Sequence, residues 1–377
     1  MSRPAKIARM DWPLLVNALL LCGVGLLNIY SGTRIHGAPA AALFTKQLVW
    51  IALGGIVFFA AYYVSDGFIE EVSGGFFLVV LGLLVVVLLA GKIRGGAQRW
   101  ISLGAFNFQP SEFAKIAVTL MLARYFSGKY QYGGIGLKDT VPAIGLVLVP
   151  FFLVALQPDL GTAGVFLFIL AGMMVVACVK WRVLALFAAA AAVAVPGLWF
   201  FMKEYQRQRV LTFLDPERDP LGAGYHVIQS KIAVGSGGIL GKGYLQGTQG
   251  SLRFLPEQHT DFAFAVFSEE GGFLGSVLLL MLFLLLVYRL FFLTVRSQDR
   301  FASFACGGLA VYFLSHIVIN LAMVCGLFPV VGIPLPFVSY GGSSMLTNML
   351  ALGITANLSR SRFTFQGGGA KGREIAS

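Results

Sequence analysis

Ten apolar runs separated by polar breaks dominate this chain and leave few architectures open to it. They fall at 12–31, 44–64, 73–91, 111–127, 141–157, 160–179, 183–202, 262–290, 301–325 and 342–358. A helix of about 20 apolar residues crosses the hydrocarbon core of a bilayer. In lipid every backbone N–H and C=O needs a partner inside the protein, and a helix supplies one within the segment. A soluble core cannot absorb so many runs. The sequence is 57% apolar and 12% charged, against roughly 45–50% and 25% in soluble domains. The expected fold class is all-α: a polytopic integral membrane protein with about ten transmembrane helices and one long extracytoplasmic loop, roughly 203–260.

Two boundaries need argument. The stretch 141–179 is interrupted by Gln157-Pro158-Asp159. A proline flanked by polar groups breaks a helix, so two short spans joined by a tight turn are expected. Arg3, Lys6 and Arg9 precede the first run, and Ala38-Pro39-Ala40 resembles a cleavage site. The run from Trp12 to Tyr30 is nevertheless longer than the roughly 7–15-residue apolar core of a signal peptide, and reads as the first span.

Ten spans put both ends on one side of the membrane. With that side cytoplasmic, fifteen of the 28 Lys/Arg lie inside, and seven of the remaining thirteen fall in the long loop. Long loops carry little orientation signal, so the short segments decide: both termini inside and the loop outside. Residues 1–365 form the membrane domain, and the Gly-rich, charged 366–377 reads as a flexible cytoplasmic tail. The net charge of +11 therefore reads as topology, not nucleic-acid affinity. The four cysteines, Cys22, Cys178, Cys306 and Cys325, lack paired spacing and read as small buried apolar residues.

Ionisable residues in or beside spans are functional suspects. Glu112 and Lys115, at i and i+3, share a helix face. They suit either a self-neutralising structural pair or the lining of a substrate groove. Asp159 suits a helix N-cap or a substrate contact. Asp261 stands with Glu257 and His259 where the long loop meets the membrane. A carboxylate near low dielectric and other acids suits a general base, although capping also accounts for it. Ser339, Gly341 and Ser343 lie in Val338-Ser339-Tyr340-Gly341-Gly342-Ser343-Ser344, at the outer start of the last span. Helix-terminal amides there suit an anion, and Gly/Ser content equally suits close helix packing. Arg99 suits a phosphate. His259 has no second His or Cys at ligand spacing, so no dedicated zinc site is expected; a divalent cation shared with a substrate phosphate stays open. All these positions fall at the outer boundary, which describes a site for an anionic headgroup on a lipid tail.

Several of these segments carry a resemblance. Gln157 to Thr162, Gly224-Tyr225-His226-Val227-Ile228-Gln229-Ser230-Lys231, Phe254 to Phe262 and Val338 to Ser344 resemble the SEDS proteins (shape, elongation, division and sporulation). The likeness runs from the first span to the last and is closest to the rod-shape branch. The division branch usually has Glu before Pro-Asp, where this chain has Gln157. The resemblance implies ten spans and a peptidoglycan glycosyltransferase of the bacterial cytoplasmic (inner) membrane. Such an enzyme polymerises lipid II into glycan strands on the outer face, for lateral wall elongation and rod shape. The implied partners are a class B penicillin-binding protein that crosslinks the strands, and other elongation-machinery membrane proteins. Asp261 matches the family's essential carboxylate. Glu112, Lys115 and Asp159 match functionally sensitive polar positions, and Arg99 a basic one.

The chemistry is consistent with that implication. Diphosphate leaves readily once cations hold it, so one base on the acceptor hydroxyl suffices, unlike the paired carboxylates of glycosidases. Asp261 is the expected base. Arg99, Lys115, Arg207 and Lys231 are the candidates to neutralise the diphosphate, with Mg²⁺ or Mn²⁺ as an optional sharer. A lipid II flippase and a scaffold that activates a transpeptidase are the competing readings. The orientation is testable in a cysteine-free background with a membrane-impermeant thiol reagent. Gln246→Cys should label on intact cells and Gly368→Cys only after permeabilisation; the reverse pattern overturns the assignment.

Overall fold

The computed structural model describes residues 10–33, 38–65, 67–94, 97–103, 106–130, 133–202, 204–218, 222–248, 259–297 and 299–360. Glu257 and the tail 366–377, both singled out from the sequence, lie outside the described residues. Twelve α-helices are present among the described residues. Seven come first: α1 (Trp12–Thr33), α2 (Ala38–Tyr63), α3 (Phe68–Ala90), α4 (Pro110–Lys129), α5 (Leu137–Leu156), α6 (Leu160–Val176) and α7 (Trp181–Phe201). The outer loop then contributes α8 (Glu204–Leu214), a 3₁₀ turn (Pro216–Arg218) and α9 (Ala223–Ser236). The last three are α10 (Ala263–Arg296), α11 (Arg300–Val324) and α12 (Gly342–Arg360). Ten helices coincide with the ten apolar runs, and the loop is partly helical as its apolar spacing suggests.

Six of these helices are long and apolar enough to cross a membrane by length and composition: α1, α2, α3, α5, α10 and α11. α6 is apolar but shorter, and α7 is apolar over Trp181–Ala194. α4 and α12 carry many polar residues and are the interior of the bundle. Ser111, Glu112, Lys115 and Thr119 of α4 are buried, as are Ser343, Thr347, Asn348 and Asn357 of α12. Protein rather than lipid surrounds these groups, so their polarity carries no transfer penalty into hydrocarbon provided each finds a partner.

Side chains close the helix ends. Asn357 Nδ2 donates to the carbonyls of Ala61, Tyr62 and Val64 at 2.9–3.0 Å. Arg360 adds bonds to Tyr62 and Val64 at 3.0 and 3.2 Å. Together they cap the C-terminus of α2 from α12, where orphan carbonyls attract a cation. Asp11 caps the start of α1 through Leu14 N and also takes a two-pronged bond from Arg289 of α10, at 2.9 and 2.8 Å. That bidentate pair ties the two helices together.

Three features go beyond the sequence reading. Residues 92–108 form a small antiparallel meander, β1 (Lys92–Arg94), β2 (Ala97–Leu103) and β3 (Phe106–Phe108), on the way into α4. α10 extends to 34 residues, six past the expected end, and breaks at Gly272 (φ 62°, ψ −161°). The break is built by contact: a Cβ at Gly272 would overlap the backbone of Leu240 and Gly241, and one at Gly241 the Glu270 carbonyl. Phe273 N and Leu274 N bond instead to the carbonyls of Gly238 and Ile239, at 2.8 and 3.1 Å. The Gly-rich part of the outer loop is therefore a docking segment for a broken helix. Finally, only Cys22 and Cys306 are buried; Cys178 and Cys325, at helix ends, are exposed.

α11 packs on α4 and α6 through small residues. A Cβ at Gly308 would sit 2.5 Å from Thr119 Cγ2 and overlap Met173 Sδ. Gly308→Val should lower the thermal unfolding midpoint in detergent, by overpacking of about 1–3 kcal/mol. Gly55→Val, where nothing lies within 4 Å of the added carbon, should leave it unchanged.

Candidate functional site

The centre of the polar interior is a stripe on α11. Tyr312, His316 and Asn320 recur every four residues, so they lie on one face about 6 Å apart along the axis. All three are fully buried. His316 Nε2 faces Lys115 Nζ at 3.0 Å, and Lys115 donates to Glu112 Oε1 at 2.7 Å. A charged ammonium has donors only, so Nε2 is the acceptor and the ring proton resides on Nδ1. The Tyr312 ring packs against His316 at a 52° tilt with centroids 4.6 Å apart, and Tyr312 OH donates to Asn348 Oδ1 at 2.7 Å. Glu112 and Lys115 thus pair as their spacing suggests, inside a wider network that joins α4, α11 and α12.

One turn further along, Asn320 holds the backbone of the Asp261 turn. Its Nδ2 donates to the Asp261 carbonyl at 2.9 Å and to the Ile333 carbonyl at 2.8 Å. Other elements clamp the same turn. Ser339 Oγ donates to Thr260 O at 2.5 Å, Tyr340 N to His259 O at 2.7 Å, and Asn28 Nδ2 to Ala263 O at 2.9 Å. Phe262 is buried beside the His226 ring, 6.3 Å between centroids. The backbone is held from α1, α11 and the 335–340 turn, while the Asp261 side chain stays partly exposed. A Cβ on Gly332 would lie 3.3 Å from Asp261 Oδ2, and Gly332 has φ +69°. Glycine there keeps the approach to the carboxylate open.

Asp159 caps α6, accepting from Thr162 N at 3.2 Å, and pairs with Arg99 Nε at 3.5 Å. Arg99 also donates to Pro158 O at 2.5 Å. Gln157, buried, donates to Leu84 O at 3.0 Å and holds the turn against α3. A Cβ on Gly161 would overlap the Val331 carbonyl. The Val331–Gly332 segment therefore touches both the α6 turn that follows Asp159 and the Asp261 turn.

The remaining candidates are dispersed. Arg207 donates to the Trp199 and Phe200 carbonyls at 3.1 and 3.2 Å and closes the end of α7. The Lys231 stem runs over Gly326 at the C-terminus of α11. Ser343 bonds to Gln109 N and Asn107 O, tying α12 to the end of the meander. Gly341 N bonds to the buried Gln47 of α2 at 3.4 Å. Ser339 also accepts from Leu335 N at 2.9 Å. The Ser339 hydroxyl thus holds the turn that carries Asp261, while the Ser343 hydroxyl fixes the start of α12 against the meander. Burial pushes the Tyr340 phenol above its ordinary range, against a smaller opposing effect of its bond to Trp50, so it stays a neutral donor at physiological pH.

Residues 12–363 match the FtsW/RodA/SpoVE family of cell cycle proteins. The chain belongs to this family. The peptidoglycan glycosyltransferase MrdB of Escherichia coli (strain K12) is 43% identical over 366 residues, covering 95% of this chain and 96% of that protein. The peptidoglycan glycosyltransferase RodA of Treponema pallidum is 34% identical, with 93% and 98% covered. Among solved structures, a chain described under structural coordination of polymerization and crosslinking by a peptidoglycan synthase complex superposes with TM-score 0.80. It is 36% identical, with 94% of this chain and 99% of that one covered. The rod shape determining protein RodA of Thermus thermophilus gives TM-score 0.70 at 28% identity, with 94% and 98% covered.

Within this FtsW/RodA/SpoVE fold, sequence reasoning passed over His316, Tyr312, Asn320 and Gly332. The spacing of the first three was the available signal: polar residues four apart inside an apolar run. Glu269 and Glu270 were also passed over. Glu269, fully buried, accepts from Lys242 Nζ at 2.6 Å and from Thr248 N and Oγ1 at 2.8 Å, and Glu270 bonds Ser31. Both clamp the outer loop to α10.

The Lys115–Glu112 pair is testable by a double-mutant cycle on thermal unfolding. Lys115→Met alone strands a buried carboxylate and should cost about 3–5 kcal/mol. Adding Glu112→Gln should recover most of it. Recovery of stability without recovery of activity identifies a substrate role for the pair.

Proposed function

We propose that this chain is a peptidoglycan glycosyltransferase that polymerises lipid II into glycan strands on the outer face of the cytoplasmic membrane. The observation that carries the reading is the Asp261 turn. It is a carboxylate left partly open beside a glycine, on backbone clamped from several elements, in a chain 43% identical to a peptidoglycan glycosyltransferase.

The acceptor sugar's 4-hydroxyl approaches Asp261, which takes its proton as the O–C1 bond forms to the donor sugar. The bond from C1 to the diphosphate breaks, and the carrier lipid leaves as undecaprenyl diphosphate. Direct displacement inverts C1. Charge grows on the leaving diphosphate, and a fixed cation there lowers the barrier. Arg99 is the first candidate, since its pairing with Asp159 fixes it at the start of α6, the helix whose Gly161 abuts Val331. Lys115, inside the bundle with Glu112 and His316, supports the site's architecture. Among the described residues no three His, Cys, Asp or Glu converge. A divalent cation at the diphosphate would therefore draw most of its ligands from phosphate and water, and no step here is routed through it.

Lateral wall elongation and rod shape follow from the likeness to rod shape determining relatives. The likeness to a chain of a synthase complex that coordinates polymerization and crosslinking supports a crosslinking partner, proposed to be a class B penicillin-binding protein. The charge distribution of the short connecting segments supports a topology with both termini in the cytoplasm.

Strand synthesis from purified lipid II, with the partner present, tests the assignment. Asp261→Asn should lower the rate by about 10²–10⁴-fold with an unchanged thermal midpoint, the range for a general base. A few-fold loss removes Asp261 from that role. Absence of strands with the wild-type chain favours lipid translocation instead.

A further inference from the structure

Two backbone segments meet at the Asp261 carboxylate: the turn 259–262 that carries it, and the strap 332–340 that leads into α12. They leave an opening at one point. A Cβ on Gly332 would stand 3.3 Å from Asp261 Oδ2 and 4.0 Å from its Cγ, and chain neighbours aside nothing else among the described residues lies within 4 Å of it. A hydroxyl that donates to an oxygen sits about 2.5–3.0 Å from it. An oxygen lodged just inside the point of the missing Cβ therefore reaches the carboxylate, and the rest of its molecule has open space to occupy.

The strap is held firmly. Ile333, Leu335 and Phe337 are buried, and Phe337 stacks on Phe313 of α11 with centroids 5.7 Å apart. A Cβ on Gly25 of α1 would overlap the Phe337 carbonyl, so α1 closes on the strap from another side. Ser339 and Tyr340 fasten strap to turn at Thr260 and His259. Asn320 fastens them at the opening itself. Its Nδ2 donates to the carbonyl of Asp261 at 2.9 Å and to that of Ile333, the neighbour of Gly332, at 2.8 Å. Its Oδ1 is buried without a hydrogen-bond partner among the described residues, so the amide is turned for its two donors. Asn320 stands on a packed helix, and a helix fixes a spacing more precisely than a loop does.

We propose that the opening beside Gly332 seats the hydroxyl oxygen of the acceptor sugar, and that Asn320 is the positioning residue that sets its width. This rests on the reading of Asp261 as the base. The seated oxygen gives its proton to Oδ2 and its electron pair to C1 of the donor, and the diphosphate leaves C1 with the electrons of the broken bond. Gly332 touches the reacting oxygen, and any side chain there takes its place. Asn320 touches no substrate and acts through the backbone of Asp261 and Ile333. A misplacement on the order of 1 Å can cost about 10²-fold in rate, so the width of the opening governs turnover more than affinity.

The test uses the full-length chain with its partner in nanodiscs, and reads strand synthesis from lipid II beside amide hydrogen exchange. Gly332→Ala should lower kcat about 10²-fold or more with KM for lipid II changed less than about threefold. Gly332 has φ +69°, so alanine also strains the backbone; Gly67→Ala, at φ +85° with nothing within 4 Å of the added carbon, carries that strain away from the site. The two variants should lose similar thermal stability, and only Gly332→Ala should lose turnover. Asn320→Ala should lower kcat about 10²-fold with KM less affected. It should also speed exchange in both the 259–266 and the 332–340 peptides, whose bonded amides include Ala265, Val266, Ser339 and Tyr340. Asn320→Gln keeps both donors on a longer stem and should lower kcat about tenfold, which keeps the width testable where Asn320→Ala does not fold. Wild-type turnover in Gly332→Ala or in Asn320→Gln overturns the proposal. So does unchanged exchange in either peptide of Asn320→Ala. Those outcomes leave the wild-type chain making strands; a wild-type chain that makes none overturns the glycosyltransferase reading and this inference with it.

Discussion

A polar side chain inside a membrane-embedded bundle has no water to turn to, and α11 carries three of them in a row. The stripe Tyr312, His316, Asn320 solves the problem by giving each side chain a partner on a different element. Tyr312 reaches Asn348 on α12, His316 takes the Lys115 ammonium on α4, and Asn320 takes two carbonyls from the turns above. An unsatisfied buried polar group costs about 1–3 kcal/mol, so each partner is committed to one arrangement. The stripe therefore does more than hold helices together. It sets the rotation of α4 and α12 relative to α11 and carries that alignment outward to the backbone of Asp261.

The long loop between α7 and α10 is organised by close approach. Glycines at 241 and 272 bring the loop backbone onto the break in α10, where hydrogen bonds replace those the broken helix gives up. Glu269 then secures the loop with charge-assisted bonds to Lys242 and Thr248, and Glu270 does so through the backbone of Leu245 and Gly247. A third glycine, Gly332, works by omission: it leaves the Asp261 carboxylate reachable. The same residue type thus serves docking in one place and access in another, and both uses follow from the missing Cβ.

Two features meet the Val331–Gly332 segment: the start of α6, where Asp159 holds Arg99, and the partly exposed Asp261 carboxylate. A glycosyl transfer needs a cation where the leaving group departs and a base where the nucleophile arrives. A charged pair such as Arg99–Asp159 also keeps the guanidinium oriented before any phosphate arrives, so less reorganisation remains to be done during the reaction.

Sequence alone determined the membrane class, the ten helices and their approximate ends, because apolar length and charge asymmetry are local properties that lipid reads directly. It also located Asp261, Glu112, Lys115 and Asp159, since ionisable groups beside apolar runs stand out in one dimension. It did not reveal the break at Gly272, the meander before α4, or the partners of His316 and Asn320. Arg207 looked like a phosphate ligand, yet it closes α7, and Ser339 looked like an anion cradle, yet it holds the Asp261 turn. Those outcomes depend on which helix faces which. Asn320 and Asp261 lie 59 residues apart, and Lys115 and His316 lie 201 apart. No local pattern encodes contacts across such separations; they arise only when packing brings the helices into register and every buried donor has to find its acceptor.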